Sequence, residues 1–512
     1  MHIKNKALYT SFIFILTAMQ VNAAMLDNIA PVDPTEVKTV QSNIEDILTP
    51  KKATLTQNDI HNHYTIAMQR FIQCNVKSAY MDFKILIQTI VPNDYAYLKM
   101  ADEMAEIGLF NLSQSSLNKV SDKDIAYIQS EDIKNFYFPK KMLKDEDEVY
   151  LAEVYSNIMY NAQGAEATAE LIKNTQLLEN SDYANYLAAL GLLKSGNTKD
   201  ADIYISKALK DNPNNLNYQK LKIEIALQGN NPNTALRLLN NIKTTKLYTE
   251  EYINKINALE QYTLYKTCKN DVLKKYHLGY YYYWQGEYTK AARTLQGAVT
   301  SKKSLNREVY ALLSEVYFAQ KEYEKAENFA DKSLKLGGNN KIALMVMGKV
   351  KYHNKEYKEA LKYFKEAQIK SNAEPSALLA LTYEKLGNLA KAKEINTRIL
   401  KEHSDCKLAY YNVARLEQDR EYEYMKKAVS LNLSFVDGWV GLVKNSLDKN
   451  NYENARKYLA IVKYIDENDF RYYYYQGLLY KAKGLSQDAN YFFKKSLSVN
   501  PENELAKKEL GI

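Results

Sequence analysis

A short phrase recurs along the sequence at a nearly constant interval, and this period limits the possible folds more than any other feature. The phrase GEYTKA ends at Ala291, KEYEKA ends 35 residues later at Ala326, and KEYKEA ends after a further 34 at Ala360. The closing alanine serves as an anchor. The same frame places further anchors at Ala79, Ser113, Ala167, Ala201, Ala235, Ala392, Ala455 and Ala489. A fixed period of this length predicts stacked repeats instead of three or four independent domains.

Three intervals break the period, at residues 113–167, 235–291 and 392–455. The first two each contain about 20 residues more than one period, which is enough for a longer or an additional helix. The third contains a shortened repeat that ends around Ala428.

The residues around the anchors resemble the tetratricopeptide repeat, a helix–turn–helix unit of 34 residues. The family has Leu-Gly in the first helix, a Tyr three residues on, and Ala, a large apolar residue and Ala in the second. These places are filled by Leu278, Gly279, Tyr282, Ala291, Leu295 and Ala298 in one repeat, and by Gly477, Tyr480, Ala489, Phe493 and Pro501 in the last. Some repeats depart from the pattern, with Ser113 in place of Ala and Asn396 in place of a large apolar residue.

This resemblance implies an all-α fold, a right-handed α-solenoid of stacked helix pairs. Small residues let the two helices of a pair approach closely, and large residues one turn away fill the space beside the contact. We also expect segments far apart in sequence not to touch, because each repeat of such an array contacts only its neighbours.

The predicted organisation follows from the anchors and the gaps. It comprises a signal peptide (1–23), a linker with a short capping helix (24–59), N-terminal repeats (60–127), an insertion (128–147), further repeats (148–249), an inserted helix (250–271), C-terminal repeats (272–503) and a capping tail (504–512).

The first residues have the pattern of a secretory signal peptide. Lys4 and Lys6 precede an apolar stretch from Ala7 to Met19, and small residues follow, so cleavage is expected after Ala23 or Ala24. The alternatives are a first core helix and an uncleaved anchor, although the stretch is shorter than the roughly 20 apolar residues that a membrane span needs. The prediction is an exported protein, periplasmic or secreted and not transmembrane.

Composition and charge exclude several classes of protein. Only 17 glycines and 9 prolines occur in 512 residues, which disfavours a turn-rich β fold, whereas Tyr is abundant at 44 residues. The net charge of +8 is a small excess without a long basic stripe, so nucleic acid is not a predicted partner. Cys74, Cys268 and Cys406 are too scattered to form a disulfide framework and are expected to be free thiols.

The sequence contains no recognisable catalytic motif. It lacks a Gly-rich phosphate loop, a nucleophile elbow and a paired-His zinc motif. His61 and His63 are two residues apart and would point to different faces of a helix. The acidic run from Asp145 to Glu148 lies where a helix should begin, and acids there complement the helix dipole. We therefore predict a non-enzymatic protein with no catalytic residue, no cofactor and no metal.

Aromatic residues in one first helix form the best candidate site. Tyr276, Tyr280, Tyr283 and Trp284 occupy the places that point into the concave groove of tetratricopeptide arrays, which typically receives peptides. The place of Tyr283 is taken by Phe318 and Tyr352 in the next two repeats, and Tyr474 is a further candidate in the last. The alternative is that these rings only pack between helices. The Lys/Asn/Arg clamp by which some family members bind chaperone C-termini is absent here.

The repeats, the predicted signal peptide and the aromatic residues are compatible with two alternative functions. The first is an exported scaffold or adaptor of a bacterial envelope that binds a protein partner or an extended peptide in its groove. The second is a carbohydrate-binding scaffold in cell-envelope polysaccharide assembly or export, because exposed aromatic faces also stack on sugars. A third hypothesis is an enzyme whose active site has no recognisable sequence motif.

Overall fold

The computed structural model describes residues 57–89, 94–244, 249–299, 303–337, 339–368 and 372–512. The predicted signal peptide and all but the last three residues of the predicted linker lie outside the described residues. The described part of the chain divides into two compact units. Unit 1 is residues 254–346, and unit 2 combines residues 57–253 with residues 347–512.

The described residues form 28 α-helices and one short 3₁₀ helix at Gln418–Arg420. The first fourteen are α1 Gln57–Ile72, α2 Val76–Thr89, α3 Asp94–Glu106, α4 Phe110–Lys119, α5 Lys123–Tyr137, α6 Asp145–Tyr160, α7 Gly164–Lys173, α8 Thr175–Asn180, α9 Asp182–Lys194, α10 Thr198–Asp211, α11 Leu216–Gln228, α12 Pro232–Thr244, α13 Glu250–Thr267 and α14 Asp271–Trp284. The others are α15 Tyr288–Gln296, α16 Lys303–Ala319, α17 Tyr323–Gly337, α18 Lys341–His353, α19 Tyr357–Ala367, α20 Glu374–Lys385, α21 Leu389–Glu402, α22 Lys407–Leu416, α23 Glu421–Leu431, α24 Val436–Asp448, α25 Tyr452–Ile465, α26 Phe470–Ala482, α27 Ser486–Val499 and α28 Glu504–Leu510. The fold is therefore an all-α array of helix–turn–helix pairs.

The turn inside the helix pairs repeats with the sequence. In ten pairs the residue five positions before the anchor has a left-handed backbone, with φ between 56° and 85°. Glycine occupies this place at Gly286 and Gly484, where the missing Cβ makes the conformation easy to adopt. Lys321 and Lys355 occupy it in the two repeats between. One turn geometry thus accounts for the regular spacing of the anchors.

Close helix contact at small residues confirms the expected packing. Gly279 lies directly against Leu295, and a Cβ built on this glycine would come within 2.5 Å of the leucine Cγ. Gly477 faces the ring of Phe493 at the same distance. Ten of the eleven anchors, including Ala291, are at most 2 % exposed, but Ala167 is half-buried and its neighbour Thr168 is buried instead.

The two polar departures from the family pattern are explained by buried hydrogen bonds. The hydroxyl of Ser113 donates to the carbonyl oxygen of Ala101 across its helix pair, at 2.7 Å. The side-chain amide of Asn396 donates to the carbonyl of Ala392 and accepts from the amide of Asn412, at 2.9 and 3.2 Å. Each polar group has a partner, so its burial costs little.

Unit 2 contains contacts between helices that are far apart in sequence. Helix α5 packs on α23, and α3 packs on α25. The Lys426 ammonium lies 3.1 Å from the Asp122 carboxylate, and the hydroxyls of Tyr95 and Ser434 are 2.9 Å apart. The expectation that distant segments of the array do not touch is therefore wrong for this unit.

Four consecutive residues at the start of α13 connect these distant helices. The backbone N–H and the hydroxyl of Thr249 donate to the buried Asp132 carboxylate of α5, at 3.0 and 2.6 Å. The Glu250 carboxylate accepts from Lys407 of α22 and from Asn432, which follows α23.

The next two residues of α13 reach α3. Glu251 pairs with Lys99 at 2.7 Å, and the hydroxyl of Tyr252 donates to Asp102. The ring of Tyr252 also packs on Phe136 of α5, with 5.2 Å between centroids. We call residues 249–252 the bridging segment, because it ties the N-terminal helices of unit 2 to its C-terminal helices.

The acidic run at the start of α6 includes one buried carboxylate. Glu148 is fully buried and its Oε2 accepts from the backbone N–H of Asn111 in the first turn of α4, at 2.7 Å. Glu146 is exposed. Burial raises the pKa of Glu148 to about 8, against the opposing effect of backbone N–H groups such as that of Asn111.

Replacement of Gly279 tests the close contact in the helix pairs. We expect Gly279→Ala to lower the free energy of unfolding of the full chain by about 1–3 kcal/mol, because the new methyl group overpacks against Leu295. The control is Gly297→Ala, where the nearest heavy atom to the new Cβ is a carbonyl oxygen at 3.4 Å, and a change below about 1 kcal/mol is expected. Urea denaturation measures both, and equal effects would contradict the packing.

The raised pKa of Glu148 predicts a pH dependence of stability. The folded state holds the proton more tightly than the unfolded state, so this stabilisation is complete below a pH of about 4.5 and is lost as the pH rises towards about 8. Relative to the wild type, Glu148→Gln should gain up to about 1.4 kcal/mol per pH unit within that window. Urea denaturation at several pH values measures the difference. The exposed control Glu146→Gln should follow the wild type, and parallel curves for all three proteins would show that Glu148 is not the titrating group.

Candidate functional site

Helix α14 carries four of the predicted site residues. Its first turn is capped by the Asn270 side chain, which accepts from the backbone N–H groups of Val272 and Leu273 at 3.0 Å. Gly279 and Tyr281 are buried, and Gly279 faces the paired helix. Gly279 therefore marks the side of α14 that faces the paired helix.

The four aromatic residues form one continuous cluster, and each is partly exposed. Tyr280 is its centre, with ring centroids 5.9 Å from Tyr276, 5.9 Å from Tyr283 and 5.7 Å from Trp284. The rings of Tyr280 and Trp284 are stacked at 18°. We call Tyr276, Tyr280, Tyr283 and Trp284 the aromatic face. These ring contacts bring the four side chains together, and recognition by them is a proposal.

The hydroxyl groups of Tyr276 and Tyr280 stay protonated. Burial raises the pKa of Tyr276 and Tyr280, and the Glu315 carboxylate on α16 raises both further. At neutral pH these two phenols are therefore neutral groups that can donate a hydrogen bond. Beside them, the His277 ring nitrogen Nδ1 is 2.9 Å from the amide oxygen of Gln261, and burial lowers the pKa of this histidine.

Tyr283, Phe318 and Tyr352 have equivalent surroundings in three successive repeats. Each ring packs on the aromatic residue five positions later, which begins the second helix of its own pair. The centroid distances are 5.8 Å for Tyr283 and Tyr288, 5.4 Å for Phe318 and Tyr323, and 5.3 Å for Tyr352 and Tyr357. All three rings are partly exposed. These positions therefore have a packing role in addition to any role in recognition.

Tyr474 differs from the prediction. It is 9 % exposed and belongs to a core cluster with Ala489, Phe493 and Ala506. Its ring lies 5.9 Å from that of Phe493. Because its side chain packs at the end of the array, it is not available to a partner.

The other candidate groups show no arrangement for chemistry within the described residues. All three cysteines are free thiols. His63 is partly exposed, and the side chain of His61 lies outside the described residues. No group of three or more His, Cys, Asp or Glu side chains in the described part of the chain could hold a metal ion.

Sequence reasoning missed a cleft in unit 2. It has a volume of about 410 Å³ and is lined by Asp94, Ser121, Asp122, Lys123, Asp124, Tyr422, Asn454, Lys457, Tyr458 and Ile461. These residues come from two groups of helices that are far apart in the sequence. The paired side chains of Lys426 and Asp124, for example, are separated by 302 positions. The only signal in the sequence is that α5 and α23 both fall in intervals that break the period.

Comparison with known proteins gives one family match. Residues 276–341 match the family model described as tetratricopeptide repeat. This segment begins at Tyr276 and contains most of unit 1, including the aromatic face. No curated protein sequence matches this chain.

Several solved structures are similar to this chain. The Cut9 and Hcn1 hetero-tetramer of APC/C has 13 % identity and a TM-score of 0.44, over 90 % of this chain and 96 % of that one. A tetratricopeptide repeat protein from Parabacteroides merdae has 18 % identity and a TM-score of 0.37, over 47 % and 97 %. YrrB, whose structure is described as having an unusual peptide-binding site, has 20 % identity and a TM-score of 0.22, over 44 % and 98 %.

No helix in the described ranges is both long and apolar enough to cross a membrane. The family match, the single turn geometry and the buried small anchors agree with one another. The chain is therefore similar to tetratricopeptide repeat proteins over residues 276–341, and its described residues form an all-α array of helix pairs.

Proposed function

We propose that this protein is a non-catalytic scaffold that binds an extended peptide of a partner protein through the aromatic face of α14. The observation that carries the proposal is the contiguous, partly exposed cluster of Tyr276, Tyr280, Tyr283 and Trp284. Aromatic side chains give a large contact area at a low cost in conformational entropy, and they are enriched in binding hot spots.

The polar parts of the aromatic face suit a peptide backbone. The phenols of Tyr276 and Tyr280 are neutral donors, and a peptide carbonyl is an acceptor in need of a partner when it leaves water. Mutual ring contacts within the cluster hold the side chains in place before a partner arrives. Binding to such a preformed surface avoids much of the entropy cost of ordering it.

We propose further that the protein is exported, because residues 4–24 have the basic, apolar and small-residue order of a secretory signal peptide. The most suitable place of action is then a bacterial envelope.

Double replacement of Tyr280 and Tyr283 by Ala tests the peptide site. Peptides selected from a displayed random library on the wild-type protein should bind the double variant about 30-fold more weakly or worse, since hot-spot residues contribute about 2 kcal/mol or more. Fluorescence of Trp284 should change on binding, and Trp284→Phe should abolish that change. Isothermal titration measures the dissociation constants.

Tyr491→Ala is the matched control, because Tyr491 is a tyrosine on α27 that is 59 % exposed. It should bind the selected peptides like the wild type. If the double variant also binds them unchanged, the aromatic face is not the peptide site. If a glycan array shows saturable sugar binding that the double variant loses, while no peptide is selected, the carbohydrate-binding function replaces the proposed one.

Sequencing of the mature N-terminus tests export. After expression with its natural N-terminal residues in a bacterial host, the protein outside the cytoplasm should begin at Ala24 or Met25. Phe14→Arg places a charge in the apolar stretch and should leave the full-length chain in the cytoplasm. Cytoplasmic retention of the wild type at its full mass would contradict export.

A further inference from the structure

The cleft of unit 2 lies where the departures from the repeat period meet. One wall is formed by the start of α3, by Asp122 in the loop that leads into α5, and by Asp124 in the first turn of α5. The opposite wall is formed by Tyr422 of α23 and by Asn454 and Tyr458 of α25. Regular repeats alone would not bring these walls together. The volume of about 410 Å³ is within the usual range of sites for small molecules.

The first wall of the cleft is held rigid by hydrogen bonds. The Asp94 carboxylate accepts from the backbone N–H and the hydroxyl of Ser121 and from the backbone N–H of Asp122, all at 2.8 Å. Asp122 in turn caps α5 by accepting from the N–H of Ile125, and it pairs with Lys426 of α23. The cleft is therefore preformed in this structure.

Both walls of the cleft carry side chains that can still form hydrogen bonds with a ligand. The hydroxyls of Tyr422 and Tyr458 are 2.9 Å apart, so one of them donates its proton to the other. The hydroxyl that accepts this hydrogen bond can donate its own proton to a ligand. The side-chain amide of Asn454 makes no hydrogen bond within the described part of the chain, and the side chain of Asp124 is 89 % exposed. These groups offer both donors and acceptors to the same volume.

Charge in the cleft is balanced. Three carboxylates, those of Asp94, Asp122 and Asp124, are matched by the ammonium groups of Lys123 and Lys457 in the lining and by Lys426 behind it. Such a site has no net attraction for an anion or a cation. Ile461 and the ring of Tyr458 add an apolar surface against which a carbon skeleton can pack.

We propose that this cleft binds a neutral polyhydroxyl ligand with the size of one or two sugar rings. The hydroxyls of such a ligand would accept from the phenol and from Asn454, and would donate to Asp124. Because the ligand would contact both walls, its binding stabilises the contact between α5 and α23. This site lies wholly in unit 2 and does not depend on the peptide site of unit 1.

Trp439 provides a reporter for the experiment. It is 1 % exposed, its ring lies 5.8 Å from that of Tyr458, and the only other tryptophan is Trp284. In the full-length Trp284→Phe protein, emission therefore comes from Trp439 alone. Glucose, N-acetylglucosamine, maltose and cellobiose are titrated against it, with inorganic phosphate as the charged comparison. Isothermal titration measures the same dissociation constants.

We expect at least one of these sugars to bind saturably, with a Kd of about 1 mM or below, and phosphate not to bind. Asp124→Asn together with Asn454→Ala should weaken binding about tenfold or more, since a charged acceptor becomes a neutral amide at an exposed position and the half-buried amide of Asn454 is lost. Asp488→Asn, at an exposed acid in the first turn of α27, should bind like the parent protein.

Three outcomes would overturn the proposal: no saturable binding of any of the four sugars up to about 50 mM, binding that the double variant keeps unchanged, or binding of phosphate alone. None of these outcomes bears on the peptide site, because the aromatic face is altered only at Trp284 in both the parent and the variants. Conversely, failure of the peptide experiments leaves the sugar titrations informative.

Discussion

Close approach of two helices at a small residue is the contact on which the rest of this fold depends. At Gly279 and Gly477 there is no room for a Cβ, because Leu295 or Phe493 already fills the space. This contact sets the distance between the helices of a pair, and the left-handed residue five positions before the anchor sets the turn between them. Together they fix which positions of a first helix face its partner and which remain for other contacts. In α14, Gly279 marks the side that faces α15.

The departures from the period are as informative as the period itself. The helix α5, the bridging segment 249–252 and the helices α22 and α23 each lie in one of the three intervals with an irregular length, and they contact one another in unit 2. Burial indicates which of these contacts stabilise the packing between the distant helices of unit 2. Asp132 and Asp102 are buried and accept hydrogen bonds from Thr249 and Tyr252, whereas surface ion pairs usually contribute less than about 1 kcal/mol.

Much of the fold could be predicted from the sequence, because a helix pair is a local structure with local signals. The period gave the anchors and the turn between the helices of a pair, and the four residues of the aromatic face lie on one helix at helical spacing. Tyr474 was misplaced because its position in the repeat is that of a groove residue, whereas at the end of the array its ring packs in the core of the last pair. The packing between distant helices of unit 2 could not be predicted. The contact between Thr249 and Asp132, for example, joins residues that are 117 positions apart and share no sequence pattern. The cleft lies between these distant helices, and it was missed for the same reason.

The two candidate sites differ in what creates them, and this difference bears on their specificity. The aromatic face belongs to a regular repeat, and its rings use a position that Phe318 and Tyr352 also occupy in neighbouring repeats. The cleft depends on residues that occur once, held by the Asp94 network and by the pairing of Asp122 with Lys426. Its walls come from helices that are far apart in the sequence and pack on one another in unit 2. A repeat array can therefore form a cleft of residues that occur once, where the segments between its repeats differ in length.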